Sequence, residues 1–463
     1  MPNQDTICAI ATAPGMGGIA VIRVSGLQAE NITLDCLHKN TSLPDRKAIF
    51  TTFYQSDTDE ILDEIVVTAF HAPHSYTGEN VVEISCHASP FIEQKILQTL
   101  IHRGCRMAEP GEFTKRAYLN GKMDLSQAEA VADLIASESK AQHRMAIRQM
   151  RGNYSSELDG LREKLLHFIA LIELELDFSE EAVEFADRSQ LQTLAEEIRL
   201  CITRLEHSFR LGNAIKKGIP VAIVGPTNAG KSTLLNSLVG EEKAIVSNIH
   251  GTTRDVIEDT VILNGTIFRF IDTAGLRHSV DVVENLGIER SYRKLKEASI
   301  VLLVLDLTEV AEQGLPEVFH DITMQITPEQ KFIIVLNKVD KSTTDKAIEG
   351  IPAEVSKARN VCYISAADGQ GMDELIAMIT SAAILPAETN ADIIVSNVRH
   401  YNLLKQSRKI LERVQTGLNE NLSGELLTQD LRQIVNTLGE ITGGFITETA
   451  ILHHIFNHFC IGK

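Results

Sequence analysis

Between residues 219 and 385 the chain repeatedly switches from short apolar runs to longer segments with helical spacing. The apolar runs are PVAIVG, FRFIDTAG, VLLVLDL, FIIVLNK and VCYISA. Strands alternating with helices in this way predict a mostly parallel sheet with right-handed crossovers. The Asn264-Gly265 pair between DTVIL and TIFRFID predicts one hairpin, and hence one antiparallel edge strand. Residues 1–120 have a different texture: GIAVIRVSG, EIVVTAF and NVVEISCHA are set among Gly-, Pro- and His-rich turns, which predicts an α/β domain. Residues 121–214 lack proline, and LSQAEAVADLIASES and LREKLLHFIALIELEL place apolar residues at three-and-four spacing, which predicts helices. Helical texture returns over 386–463, where Leu427, Leu431, Ile434, Val435 and Leu438 form one stripe. The simplest arrangement packs the two helical regions together, with the sheet domain of 215–385 inserted between them; two independent bundles would give a similar pattern.

A length of 463 residues is ample for about three domains. The formal net charge of −18 disfavours nucleic acid on average, so any RNA contact needs a local basic patch. Lys140, Arg144, Arg148 and Arg151 are the best candidates, on a helix face opposite Ile147, Met150 and Tyr154, although a solvated face reads the same. The acidic run ELELDFSEEAVEFAD (173–187) should face away from RNA. Seven scattered cysteines without a Cys-x-x-Cys pair predict reduced thiols and a cytoplasmic protein. The N-terminus carries no charged leader, and the longest apolar stretches are too short to span a bilayer, so no membrane association is expected.

The chemistry concentrates at strand ends. GPTNAGKS (225–232) fits G-x-x-x-x-G-K-S between a strand and the helix STLLNSLVG. Gly225 and Gly230 let backbone N–H groups turn around phosphate oxygens, Lys231 reaches the β- and γ-phosphates, and the Ser232 hydroxyl ligates Mg²⁺. Asn228, Ala229 and Thr233 complete the phosphate-contacting set. DTAG places Asp272, Thr273, Ala274 and Gly275 at the next strand end, with Asp272 to orient the metal's water shell and Gly275 to sense the γ-phosphate. GTTRD (251–255) supplies the Thr253 hydroxyl for the same metal. NKVD brings Asn337, Lys338 and Asp340; the Asp340 carboxylate matches the donor pair of guanine, which adenine lacks, so discrimination on the order of 10⁴ is physically reasonable. Ser365 and Ala366 of SAA add a backbone N–H for guanine O6. Together these motifs predict GTP binding. Leu276 stands where Ras-like enzymes place a water-orienting glutamine, so hydrolysis needs another group for water and another positive charge. Asn228 is a candidate for holding a monovalent cation there, whereas Glu284 alone reads as a helix-surface acid.

These motifs, with the opening DTICAIATAPGMGGIAVIRVSG, the segments SYTGE, EPGEFTKRAYLNGKMDLSQAEA and DFSEE, and the terminal CIGK, resemble the MnmE (TrmE) family of tRNA-modification GTPases over essentially the full length. The resemblance implies a multidomain α/β plus all-α fold. Its parts are an N-terminal folate-binding domain (1–120), a discontinuous helical domain (121–214 and 386–463) and an inserted Ras-like P-loop GTPase domain (215–385). It also implies a homodimer joined through the N-terminal domains, G domains that meet in a potassium-dependent contact, and a flavin-bearing partner of the MnmG type. The implied reaction is addition of an aminomethyl-type (carboxymethylaminomethyl) group to C5 of the wobble uridine of certain tRNAs. The one-carbon unit would come from 5-formyl- or methylene-tetrahydrofolate. Position by position, the family pattern implies K⁺ ligands at Asn228, Ser247, Ile249 (carbonyl) and Thr252, Mg²⁺ ligands at Ser232 and Thr253, and a catalytic Glu284. Folate contacts fall on Arg23, Glu79, Lys122 and Lys463. Pro226-Thr227 departs from the Arg-Pro of many members, at positions that contribute backbone.

The tail FNHFCIGK has two readings. Leu452, Phe456 and Cys460 lie four apart and share a helix face, which is a packing pattern. Gly462 and Lys463 fail the requirements of a prenylation box. With the family in view, a Gly-Lys tip could carry the Cys460 thiol to the one-carbon unit, where a thiolate attacking uracil C6 would make C5 nucleophilic. His453, His454 and His458 near Cys460 suggest a metal site, but structural or solvated histidines are the commoner case. The competing functional class is a regulatory GTPase that acts as an assembly switch on ribosomal RNA.

Overall fold

The structure, a computed structural model, describes residues 5–39, 42–55, 60–177, 188–241, 259–271, 295–341, 352–356, 360–383, 393–420, 422–444, 452, 455, 456, 459 and 462. The chain forms two compact units. The first comprises residues 1–136, 146–202 and 403–463, and the second residues 137–145 and 203–402.

The first unit opens with β1 (Thr6–Ile10), β2 (Gly17–Ser25), α1 (Ala29–Cys36), β3 (Ala48–Tyr54), β4 (Ile61–Phe70), β5 (Val81–Ala88), α2 (Pro90–His102) and β6 (Cys105–Met107). The six strands make one sheet in the order β3-β4-β5-β2-β1-β6, antiparallel except for β1 against β6. Strand alternation sets its core face: Ile65, Val67 and Ala69 of β4 point with Ile22 and Val24 of β2 into a cluster closed by Ile32 of α1 and Ile96 and Leu100 of α2. On the other face α3 (Glu112–Leu119) seats Phe113 against Ile7 and Ala9. The helices α4 (Leu125–Ile135), α5 (Lys140–Met150), α6 (Asn153–Asp177) and α7 (Arg188–Lys217) follow, of which α5 begins and α7 ends in the second unit. Asp124 starts α4 with a capping box, its carboxylate accepting from the Gln127 N–H while the Gln127 side chain accepts from the Asp124 N–H.

The basic stretch differs from the sequence expectation. Its buried side is Met145, Ala146 and Gln149, with Ile147 and Met150 only half-buried. The cause is local: α5 ends at Met150, so Arg151 lies outside it and Tyr154 belongs to α6. Gln149 earns its burial by donating to the Ser126 carbonyl at 3.0 Å. Lys140, Arg144 and Arg151 are exposed and Arg148 is half-buried.

The second unit carries β7 (Ile219–Val224), α8 (Lys231–Glu241), β8 (Asp259–Leu263), β9 (Thr266–Ile271), β10 (Ile300–Asp306), α9 (Leu307–Gln313), α10 (Glu317–Gln325), β11 (Lys331–Asn337), β12 (Val361–Tyr363) and α11 (Met372–Ala382). The sheet order is β12-β11-β10-β7-β9-β8, parallel except for the β8–β9 hairpin. That hairpin turns at Asn264 and Gly265, both at positive φ (49° and 76°), as a two-residue turn of this type requires. All seven residues of β10 are buried. Ile300, Leu302 and Val304 face one cluster with α8 and α11, while Val301, Leu303 and Leu305 face the other with α10, which explains an apolar run without alternation. β7 has β10 on one side and β9 on the other, so successive connections diverge at its C-terminal end. Such a divergence opens a crevice for ligands.

The chain ends in the first unit with α12 (Val398–Asn419), which begins in the second, and α13 (Gly424–Thr442). The stripe Leu427, Leu431, Ile434, Val435 and Leu438 is buried throughout, and α13 packs along α6. Arg432 pairs with Glu173 at 2.6 Å, and Gln192 donates to Asn419 at 3.0 Å, so the two helical regions do join. Leu452 and Phe456 pack on Leu125 and Ala128 of α4. Cys460, the third member of that stripe, lies outside the described residues, as do His453, His454 and His458.

Candidate functional site

The loop after β7 is pressed against two strand ends. A Cβ added to Gly225 (φ +144°) would lie 2.1 Å from the Val304 carbonyl oxygen, and one added to Gly230 (φ +91°) would lie 2.2 Å from Asn337 Nδ2. Neither position tolerates a side chain, so the loop backbone itself lines the cradle. Asn228 adopts φ +65° within it. Lys231 folds back over the loop, its ammonium donating to the carbonyls of Gly225 (2.9 Å) and Pro226 (2.5 Å). Burial holds its pKa below the ordinary lysine value. Ser232, half-buried, and Thr233, exposed, open α8, whose N-terminal amides suit an anion.

Asn337, 2 % exposed at the end of β11, ties three motifs together. Its Nδ2 donates to the Ala229 carbonyl at 2.9 Å, and its Oδ1 accepts from the Ala366 N–H at 3.0 Å. The next residue, Lys338, has φ +67° and pairs with Asp306 at 2.6 Å. Asp340 is exposed in the 3₁₀ turn Val339–Lys341. Ser365 is fully buried; its N–H donates to the Gln370 carbonyl at 2.9 Å and its hydroxyl accepts from the Asp368 N–H at 3.3 Å. The structure thus brings together 228–233, 337–340 and 365–366. Asp272, Thr273, Ala274 and Gly275 follow directly on β9, but they lie outside the described residues. So do Ser247, Ile249, Thr252, Thr253, Leu276 and Glu284.

A second cluster lies in the first unit, on the sheet face covered by α3. Arg23 of β2 pairs with Glu83 at 2.8 Å and packs its guanidinium 5.2 Å from the Tyr76 ring centroid and 5.7 Å from that of Phe113. Its Nη1 also donates to the Gly462 carbonyl at 3.5 Å. Gly462 itself fits so closely that a Cβ there would meet the Ile10 carbonyl oxygen at 2.1 Å. Glu79 accepts from Ser25 Oγ (2.8 Å) and from Arg116 Nη1 (3.1 and 3.3 Å). Arg116, 5 % exposed, also pairs with Asp5 at 2.7 Å and Glu112 at 3.1 Å. Burial opposes its charge, but Glu79 and Glu112 outweigh burial and hold its pKa above the ordinary value. Lys122 donates to the Pro73 carbonyl at 2.9 Å, at the far end of the loop that carries Glu79. Lys463 lies outside the described residues.

Comparison with known proteins identifies the family. A family model described as the MnmE helical domain matches residues 125–460, and one described as the N-terminus of the GTP-binding protein TrmE matches residues 6–122. The tRNA modification GTPase MnmE of Porphyromonas gingivalis is 52% identical over 470 residues, covering 100% of this chain and 98% of the relative. That of Bacteroides thetaiotaomicron is 52% identical over 474 residues and covers 100% of both. The chain belongs to the MnmE family. The TrmE N-terminal match takes in the whole β1–β6 sheet together with Arg23, Glu79 and Lys122. The MnmE helical match begins at the first residue of α4 and brackets the phosphate loop.

Several residues that organise these clusters escaped the sequence analysis. Asp306 closes an apolar strand, as Asn337 does, and that shared position was the available signal. Ser25, Glu83 and Arg116 carried none, because their importance comes from strand register and burial. Among the described residues no group of three or more His, Cys, Asp or Glu side chains is placed to hold a metal ion, and no helix is long and apolar enough to cross a membrane.

Proposed function

We propose that this MnmE-family chain is a GTP hydrolase acting in tRNA modification. Its G domain spans 215–385, inserted in a helical domain of 121–214 and 386–463, behind a folate-binding domain of 1–120. The observation that carries the reading is the Asn337 bridge, which joins the phosphate loop to the SAA loop and so supports reading the three motifs as one nucleotide site. Asn228 through Thr233 take the phosphates, with Lys231 exchanging its loop carbonyls for phosphate oxygens. Asp272 to Gly275 flank the γ-phosphate, and Asn337, Lys338, Asp340, Ser365 and Ala366 take the guanine. Bound Mg²⁺, held by Ser232 and Thr253, and K⁺, held by Asn228, Ser247, Ile249 and Thr252, would offset charge developing on the phosphates. The side-chain amide oxygen of Asn228 is an acceptor with two lone pairs, the donor chemistry such a cation takes. Glu284 positions the attacking water in place of the glutamine that Leu276 displaces.

In the first unit, Arg23, Glu79 and Lys122, with Lys463, hold a tetrahydrofolate derivative that supplies a one-carbon unit. A carboxylate offers about four acceptor sites, more than the three bonds that Glu79 receives, so it can still accept from a pterin. Arg23 and Lys122 complement the glutamate carboxylates of folate. The aromatic rings around Arg23 suit a flat heterocycle. Cys460 assists at the uridine. The protein works in the cytoplasm as a homodimer with a flavin-bearing partner of the MnmG type, on C5 of the wobble uridine of certain tRNAs. Mass spectrometry of wobble nucleosides in cells lacking the protein tests this reading: loss of the C5 modification is expected, and an unchanged profile would refute it. Equal hydrolysis rates in potassium and sodium would refute the cation site alone.

A further inference from the structure

Asp306 does more than a helix cap requires. It is 6 % exposed at the end of β10, and its two carboxylate oxygens have separate partners. Oδ1 accepts from the Thr308 N–H at 3.0 Å and the Thr308 hydroxyl at 2.7 Å, which completes the cap of α9. Oδ2 accepts from the Lys338 ammonium at 2.6 Å. Burial alone would raise the Asp306 pKa, but the bonds from Lys338 and Thr308 outweigh burial and hold it below the usual carboxylate range, so the pair is ionic. Lys338 is a non-glycine residue at positive φ, a conformation that persists only where the surroundings fix it. Backbone bonds do so, the Lys341 N–H donating to the Lys338 carbonyl at 3.0 Å and the Val339 N–H to the Ile364 carbonyl at 3.2 Å, together with the Asn337 bridge immediately before it, while the Asp306 pair holds the side chain at its tip. With the ammonium tied down, the four-carbon stem of Lys338 lies fixed two residues before Asp340, offering an apolar surface for one face of a planar base.

We propose that Asp306 is a positioning residue for guanine recognition: through Oδ2 it holds the Lys338 side chain in place, so that the base slot exists before nucleotide arrives. This rests on the reading that Asp340 receives the guanine. Preorganisation of this kind raises affinity by removing the cost of ordering a long side chain on binding.

The test is a double-mutant cycle on the full-length chain, read as GDP affinity by calorimetry. Asp306→Asn and Asp306→Ser both retain a capping side chain while removing the charge that holds Lys338. Each should weaken GDP about tenfold, the scale of a lost charge-assisted bond. Lys338→Met keeps the stem and loses the ammonium; combined with Asp306→Asn it should weaken GDP by less than about twofold beyond Lys338→Met alone. Thr308→Val removes a cap partner and leaves Oδ2 untouched, so GDP affinity should stay within about twofold of the parent. Additive losses in the cycle, or a Thr308→Val loss equal to that of Asp306→Asn, would overturn the proposal and make Asp306 a cap only. Asp340→Asn separates the underlying reading, because it should shift preference from GDP to the xanthosine diphosphate. If that shift appears and the cycle is additive, only the Asp306 inference fails. If no shift appears, the base site is misread and both fall.

Discussion

Replacing Asn337 by Ala tests whether the G-domain motifs form one preassembled site. The substitution removes the donor to the Ala229 carbonyl and the acceptor of the Ala366 N–H, and those two residues are 1 % and 5 % exposed. Water cannot easily replace either bond, and each buried group left without a partner costs about 1–3 kcal/mol. The expected loss is therefore roughly 3 kcal/mol or somewhat more. Because the bridge joins protein groups only, much of that loss should appear in the apo protein. For a unit of this size about 1 kcal/mol moves the thermal midpoint by ~2–4 °C, so the G-domain transition should fall by roughly 6–12 °C. The released phosphate loop and SAA loop must then be reordered by the ligand, and GDP affinity should drop at least about tenfold. Asn337→Asp keeps the acceptor but sets a carboxylate oxygen against the Ala229 carbonyl, so it should be no milder. Differential scanning calorimetry of the apo chain, paired with GDP titration, decides the matter. If affinity collapses while the apo midpoint stays within about 1 °C, Asn337 acts only by touching nucleotide, and the bridge contributes nothing.

Other consequences are equally direct. Leu431→Ala, at a fully buried position of α13, the helix that packs along α6, should cost about 2–5 kcal/mol in chemical denaturation of the first unit, against near-neutral change for the exposed Leu426→Ala. Burial pushes the Cys36 thiol up to about 12, and burial with nearby acids pushes Cys86 and Cys362 up to about 11. At pH 8 only roughly one Cys36 in 10⁴ is a thiolate, so iodoacetamide should spare all three until denaturant is added; labelling of the native chain at these sites would contradict their burial. Glu112 and Asp5 face burial that would raise their pKa, but Arg106 and Arg116 outweigh it and hold both below their ordinary values of 4.5 and 3.8. Their stabilisation is therefore complete above those ordinary values and disappears as pH falls through the lower folded ones. Urea titrations between about pH 5 and 3 should show a shallower pH slope for Glu112→Gln than for the parent, and identical slopes would dismiss the cluster.

The structure also shows why some of this was legible in the chain and some was not. The G domain declared itself because its sheet is buried on both faces, so β7, β10 and β11 read as apolar runs, each ending where a motif begins. The Asn264-Gly265 turn and the stripe on α13 were equally plain, being local geometry written in residue type. β1, β3 and β6 were not separated in advance: β6 has three residues, and β3 is an edge strand with Phe50 68 % exposed, so neither presents a clean alternation. The basic stretch was not legible in the same way, because a break at Gly152 resets the periodicity that a count of spacings carries straight through. Arg116 is the sharpest case. In sequence, Glu112 and Arg116 are an ordinary i,i+4 pair of the kind that decorates exposed helices. Only the sheet beneath α3 makes them buried, and only burial converts a weak surface attraction into a fixed charge against which Glu79 can be held. Asp306 follows the same logic: the residue type allows a cap, but the parallel register of β10 with β11, which sets Asp306 opposite Asn337, is what delivers Lys338 to its second oxygen. Motifs announce which groups touch a ligand, whereas the groups that hold those groups still are fixed by register across the sheet.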